Sequence, residues 1–188
     1  MTEIEQMSFI KRAIRGDSDA FERLVKPYER KMYALAFRMC GNAEDASDCL
    51  QDAMLRIYRG LGSFKGEAAF STWIYRIQVN VCRDFFRKLK HRRADSLDAI
   101  TEKGRDPVDT ALTPDESAEN ADLKRQISNA IQQLPEDMRE TLVLREIQGC
   151  SYEEIAQILD INIGTVKSRI NRAREKLRNI LSDETELL

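Results

Sequence analysis

Apolar residues recur at intervals of three and four along most of this chain, the period of a helix with one buried face. Within 3–15, Ile4, Met7, Ile10 and Ile14 keep that spacing, and Gly16-Asp17 ends the segment. A second helix is predicted from about Ser18. Phe21, Leu24, Val25 and Tyr28 share a face, continued by Met32, Leu35, Ala36 and Met39. Pro27 lies inside this run and is expected to kink or split it, because proline lacks an N–H and its ring meets the preceding turn. Cys40-Gly41-Asn42 is a stop, with Asn42 placed to cap the next helix. That helix, about 43–61, aligns Ala46, Cys49, Leu50, Ala53, Met54, Ile57 and Leu61. Its other face carries Asp45, Asp48, Gln51, Asp52 and Arg56. After a loop at 62–69, residues 70–93 show two stripes. One is Phe70, Trp73, Ile77, Val81 and Phe85; the other is Thr72, Arg76, Asn80, Arg83 and Arg87.

The pattern lapses after residue 93. Residues 94–122 hold nine Asp or Glu against two Lys or Arg and few large apolar side chains, which reads as a linker. Periodicity returns with "TPDE" at 113–116: a Thr cap, Pro at the first helical position and Glu three residues after the cap. Leu123, Ile127, Ala130, Ile131 and Leu134 follow it, and Pro135 closes this helix and opens another carrying Met138, Leu142 and Ile147. "SYEE" at 151–154 is a second capping box, starting a helix with Ile155, Ala156 and Leu159 inward. After the turn "DIN", a last helix over 163–181 turns Val166, Ile170, Ala173, Leu177 and Leu181 inward. The expected fold is all-α: two small helical domains, 1–93 and 113–188, joined by an acidic flexible linker at 94–112.

Composition narrows the function. The 188 residues are 42% hydrophobic and 33% charged, a globular balance, with a formal net charge of −2. No apolar run exceeds the six residues of "MYALAF", and the first residues lack a secretory pattern, so a cytoplasmic protein is expected. The spacing of Cys40, Cys49, Cys82 and Cys150 fits no short metal motif, which favours reduced thiols over a redox pair. With His91 the single histidine, neither a His-based metal site nor a catalytic triad is expected. No cofactor or small-molecule substrate is foreseen.

Charge is unevenly placed. Residues 163–178 carry six Lys or Arg and one Glu, and 70–93 carry seven against one Asp. Two short helices across a tight turn, the second basic, describe a helix-turn-helix. Ala156 supplies the small residue at the crossing, Val166 plugs the interface, and Ile170 repeats the contact. Asp160 stands at the turn position where Gly is commonest; Asp tolerates the left-handed conformation better than most residues. With that face buried, Lys167, Ser168, Asn171 and Arg172 point outward from the first turns, which in this motif enter the major groove. Lys and Arg suit guanine and Asn suits adenine, whereas Thr165, Arg169, Arg174, Lys176 and Arg178 are better placed for phosphates. A merely solvated cationic face is the alternative. In 70–93, basic and aromatic residues mix as they do where melted strands bind. Trp73 fits the core as well as it fits stacking, and Asn80 with Phe64 could bound a pocket for an extruded base. The acidic face of 43–61 is either a solvated surface or a dock for a basic partner.

These pieces together resemble the extracytoplasmic-function sigma factors, bacterial transcription-initiation proteins. The resemblance runs through "GDSDAFERLV", "NAEDASDCLQDAMLRIYRGLGSFKG", "FSTWIYRIQVNVCRDFFRK", "LPEDMRETLVLREIQGCSYEEIAQIL" and "IGTVKSRINRAREKLR", in the family's order. It implies a non-enzymatic protein whose first domain serves the promoter −10 element and whose last reads the −35 element. Asp48, Gln51, Asp52 and Arg56 would then contact the β′ clamp helices of core RNA polymerase, and the last domain would rest on the β flap. Phe64 and Asn80 match a pocket for a flipped −10 base; Lys65, Thr72, Arg76 and Arg83 would flank it. Thr165, Lys167, Ser168, Arg169, Asn171, Arg172 and Arg174 would serve the −35 duplex. An anti-sigma factor, in some cases membrane-anchored, is the implied regulator. The chain departs from the family at Ala46, Ser47 and Cys49, and at Asn171, where several members carry an aromatic residue or His, so its −35 preference is expected to differ. The nineteen residues of 94–112 reach at most roughly 65 Å, enough to span two elements on one DNA face, and their acidity suits a basic channel of polymerase. A two-component output protein would need an alternating β and α domain, and a serine recombinase a nucleophilic Ser among arginines on such a domain. Neither pattern occurs here. A module that merely titrates polymerase is the third rival.

Overall fold

The computed structural model describes residues 1–95 and 118–186, and every element among them is helical. The N-terminal region contains α1 (Glu3–Ile14), α2 (Ser18–Cys40), α3 (Ala43–Gly60), a 3-10 turn (Leu61–Ser63) and α4 (Phe70–Asp95). The C-terminal region contains α5 (Ala118–Gln132), α6 (Glu136–Glu146), α7 (Tyr152–Leu159) and α8 (Ile163–Glu186). The linker proper and the "TPDE" box lie outside the described residues, apart from the two linker residues that complete α4.

Caps fall where side chains supply them. Asp17 Oδ1 accepts from the Ala20 N–H at 2.9 Å, and Asn42 Oδ1 accepts from the Asp45 N–H at 2.9 Å. In the box at α7, Ser151 Oγ accepts from the Glu154 N–H at 3.1 Å, and Glu154 Oε2 accepts from the Ser151 N–H at 2.7 Å. Pro27 does not split α2, which runs through it for 23 residues. Leu24 and Val25 before the proline and Met32 and Leu35 after it are all buried, so core contacts on both sides outweigh the missing bond.

Two expected stripes shift. On α1 only Ile10 and Ala13 are buried, while Ile4, Met7 and Ile14 are 85%, 41% and 52% exposed. This helix packs chiefly on α2 and covers a narrow strip. On α4 the buried set is Phe70, Thr72, Ile74, Tyr75, Gln78, Val79, Val81 and Cys82; Trp73, Ile77 and Phe85 are only partly covered. The helix is enclosed by α2 and α3 on one side and α7 on the other, so one stripe could not describe it. Leu123 and Ile147, expected to face inward, are exposed as well.

The two regions meet, α4 against α7 and α2 against α5 and α6, and one continuous apolar core runs through both. Polar contacts stitch the seam. Arg83 donates to Glu140 through Nε at 2.9 Å and Nη2 at 2.6 Å. Lys90 Nζ lies 3.3 Å from Glu136 Oε2. Gln132 Nε2 donates to the Arg38 carbonyl at 2.7 Å, Arg139 Nη1 to the Met39 carbonyl at 2.9 Å, and Gln148 Nε2 to the Lys31 carbonyl at 2.9 Å. Gly41 closes α2 with φ +84°, and a Cβ there would sit 2.8 Å from Gln132 Cδ. Glycine at this position satisfies both the left-handed cap and the close approach of α5.

Candidate nucleic-acid interface

Helix α8 is fixed by the turn before it. Asp160 ends α7 in the left-handed conformation, φ 56° and ψ 51°, and its N–H bonds the Ala156 carbonyl. Asn162 then caps α8: its Oδ1 accepts from the Thr165 N–H at 2.7 Å and from Thr165 Oγ1 at 3.0 Å. Val166, Ile170 and Ala173 are completely buried beneath. At the spacing of a helix this turns Lys167, Asn171 and Arg172 outward, and all three are exposed. Ser168 is half-buried, its Oγ donating to the Thr165 carbonyl at 3.0 Å.

Two of the presumed phosphate ligands are occupied. Arg169 is bent inward, its Nε 3.3 Å from Asp137 and its Nη1 3.7 Å from Glu140. Arg174 holds Glu146 at 2.5 Å, and that hydrogen bond keeps the guanidinium above its usual range. Lys176 and Arg178 are exposed beyond them.

In the N-terminal region, Phe64 meets Phe70 edge-on at 5.3 Å and Trp73 at 5.5 Å, while Phe70 and Trp73 stack at 5.7 Å. These three rings make an aromatic corner at the start of α4, with Lys65 exposed beside it in sequence. Arg76 and Asn80 are exposed further along the helix. Asn80 stands two turns beyond Trp73, about 10 Å along the axis, and the rings that meet Phe64 are those of Phe70 and Trp73. Thr72 is 4% exposed, and Arg83 is turned into the seam.

The Arg83–Glu140 pair is lopsided. Hydrogen bonding to Glu140 raises the Arg83 guanidinium. Glu140, 2% exposed, has its carboxyl raised too, because burial penalises its charge more than Arg83 and Arg169 relieve it. We therefore regard the pair as a positional lock and assign it little net stability.

On α3, Asp48, Gln51 and Asp52 stand exposed in a row. Arg56 continues it and is held by Asp84 of α4 at 2.8 Å, as is Arg87 at 2.7 Å. Leu55 and Tyr58, each 46% exposed, add apolar surface to this helix. Sequence reasoning missed the seam residues Gln132, Arg139, Glu140 and Gln148.

Comparison with known proteins agrees with this layout. Residues 24–92 match the model for sigma-70 region 2, and residues 124–177 match that for sigma-70 region 4. The chain is 40% identical over 185 residues to the RNA polymerase sigma-H factor of Pseudomonas aeruginosa, covering 96% of each protein. It is 37% identical over 174 residues to the ECF RNA polymerase sigma-E factor of Escherichia coli K12, covering 90% of this chain and 91% of that one. Among solved structures, the sigma factor RpoE of Bartonella quintana, crystallised with the anti-sigma factor NepR, superposes with a TM-score of 0.74 at 26% identity. That match covers 86% of this chain and 96% of RpoE. CnrH, in complex with the cytosolic domain of CnrY, shares the fold with a TM-score of 0.70 at 24% identity, over 95% of this chain and 98% of its own. Among the described residues no helix is long and apolar enough to cross a membrane. Two successive family regions in order and near full-length relatives leave one conclusion: this chain belongs to the sigma-70 family, as an RNA polymerase sigma factor of the extracytoplasmic-function type, and is not an enzyme.

Proposed function

We propose that the chain, as a cytoplasmic initiation factor, reads the −35 element as duplex through α8 and holds melted −10 bases at the start of α4. The supporting observation is the contrast within α8: Lys167, Asn171 and Arg172 are exposed over a fully buried row of Val166, Ile170 and Ala173. In this role Lys167, Asn171 and Arg172, with Ser168, contact bases. Thr165, Arg174, Lys176 and Arg178 contact phosphates, and Arg169 chiefly braces α8 against α6. Phe64 and Trp73 supply stacking surface, Lys65, Arg76 and Asn80 the polar and charged groups around it. Asp48, Gln51, Asp52 and Arg56 dock on core polymerase. The working domains are 1–93 and 113–188, with 94–112 as tether.

The seam gives this reading a second state. With Arg83 on Glu140 and Thr72 covered, part of the −10 surface is unavailable until the regions separate. Polymerase binding favours the open form; an anti-sigma protein of the kind complexed with RpoE or CnrH favours a masked one. Run-off transcription with core polymerase and a genomic DNA library tests the whole proposal. Discrete promoter-specific products are expected, with loss of products from Lys167→Ala/Arg172→Ala. Random initiation unaffected by the protein refutes it.

A further inference from the structure

Three cysteines far apart in sequence converge in the N-terminal core. Cys40 is the last residue of α2, Cys49 lies within α3 and Cys82 within α4. Their Sγ atoms all fall within 4.8 Å of one another, and Cys40 and Cys49 are 3.7 Å apart. All three are free thiols and are 3%, 2% and 0% exposed. The sequence showed no metal motif because each ligand comes from a different helix. We propose that Cys40, Cys49 and Cys82 form a three-thiolate site for a soft thiophilic ion, and that trivalent arsenic is the ion whose charge it matches.

A second observation points the same way. Gln78, one turn before Cys82, is fully buried. Its Nε2 lies 3.6 Å from Cys82 Sγ and 3.4 Å from the Cys49 carbonyl, while its Oε1 has no hydrogen-bond partner among the described residues. An amide in an apolar core costs stability unless satisfied. Here it turns a donor toward the sulfur trio, where a Leu would serve a purely packing role better. The sulfurs are also unequal. Hydrogen bonds from Cys40, Cys49 and Gln78 hold the Cys82 thiol below its usual range, whereas the bond to Cys49 and burial push Cys40 up. Cys49 is pushed to about 12: the Cys40 bond lowers it, but the bond to Cys82 and burial prevail.

Charge selects the ion. Asp45, an anion, acts on Cys49 and raises its thiol. A net charge in this interior is costly. Three thiolates leave two negative charges around a monovalent ion, one around a divalent ion and none around a trivalent one. Structural zinc also takes four ligands, and the amide oxygen of Gln78 is a poor fourth for a soft ion. Cys150, in the C-terminal region, is not part of the cluster. The exchange needs no oxidant. Arsenious acid, As(OH)3, condenses with three thiols, three As–S bonds replace three As–O bonds, and each thiol proton leaves with a hydroxide as water. The product ties α2, α3 and α4 together beneath the acidic face of α3.

The test uses the full reduced chain under anaerobic conditions, titrated with arsenite, zinc(II) or copper(I). Arsenite is expected to bind one per chain with a thiolate-to-arsenic absorption, and X-ray absorption of the wild-type complex should show three sulfur neighbours. Cys150→Ser should leave this unchanged, and Cys40→Ala, Cys49→Ala or Cys82→Ala should each abolish three-sulfur coordination. Because the wild-type spectrum alone counts the ligands, a variant that fails to fold does not decide the matter. Absence of arsenite binding, two sulfur neighbours, or dependence on Cys150 overturns the site. Tighter binding of zinc or copper overturns the charge argument. None of these readouts involves transcription.

Discussion

The two regions of this protein treat their basic helices differently. In the C-terminal region α8 sets a fully buried row directly under an exposed one, so the side chains we propose meet DNA stand on a fixed floor. In the N-terminal region α4 is covered on both flanks, and its cations are partly engaged. Arg83 meets Glu140, Arg87 meets Asp84, and Arg76 remains exposed. The difference suits the two kinds of target. On the proposed reading, duplex DNA is present from the outset and rewards a rigid reader, whereas melted strands appear late, and a surface for them can stay engaged elsewhere until then.

The sharpest way to break that comparison is to remove the floor. Ile170→Ala deletes a fully buried side chain between α8 and its neighbours, and should cost about 2–5 kcal/mol. Denaturant unfolding should show the loss together with weakened −35 duplex binding, while single-strand −10 binding in an open-complex assay is retained. Next in size is the reader itself. Arg172→Ala should cost about 1–3 kcal/mol and relax selectivity at one base pair. Equal loss across a panel of duplexes would make it a phosphate contact.

A third change tests the engaged helix. Arg83→Ala removes the chief partner of a buried carboxylate, so the regions should separate more readily. Small-angle scattering should report a larger radius of gyration, and Arg83→Lys should restore it only in part, since one ammonium cannot make the two-pronged contact. A fourth is Asn80→Ala, expected to slow open-complex formation and leave −35 binding intact; the reverse result would remove Asn80 from −10 recognition.

The smallest expected effect is on pH. In the closed form the Glu140 carboxyl is raised by burial, against the relief given by Arg83 of α4 and Arg169 of α8; Glu136 of α6 raises it further. A raised value means that the closed form binds the proton more tightly than the open one. Its contribution to closure is full below the ordinary carboxylate range and is lost as pH rises through the raised value. Mild acidification should therefore favour closure, and Glu140→Gln should flatten that dependence in the same scattering experiment.

Much of this was legible in the sequence, for local reasons. Asn42, the box at Ser151–Glu154 and the row of Val166, Ile170 and Ala173 depend on spacings of three and four within one helix. Even the left-handed Asp160 followed from the need for a turn between two short helices. What could not be read depended on partners distant in the chain. The buried set of α4 widened because α7 packs against it; Arg83 disappeared into the seam because Glu140 was there to meet it. The cysteine trio needed three helices to exist at all. Periodicity shows which face of a helix is apolar, but not how many neighbours will cover it.

The seam also divides the evolutionary burden unevenly. Three of its contacts run from C-terminal side chains to main-chain carbonyls of α2, at Lys31, Arg38 and Met39. A carbonyl oxygen is present whatever residue supplies it. The side chains at those three positions can drift without deleting the acceptor, whereas Gln132, Arg139 and Gln148 cannot change without losing a bond. At the end of α2, Gly41 is constrained in kind as well, by its positive φ and by a Cβ that would strike Gln132. Across a lineage, the record of these three contacts should therefore be written mainly in the C-terminal half, in the amides and guanidinium that face main-chain acceptors, while the Arg83–Glu140 pair should leave its record in both halves.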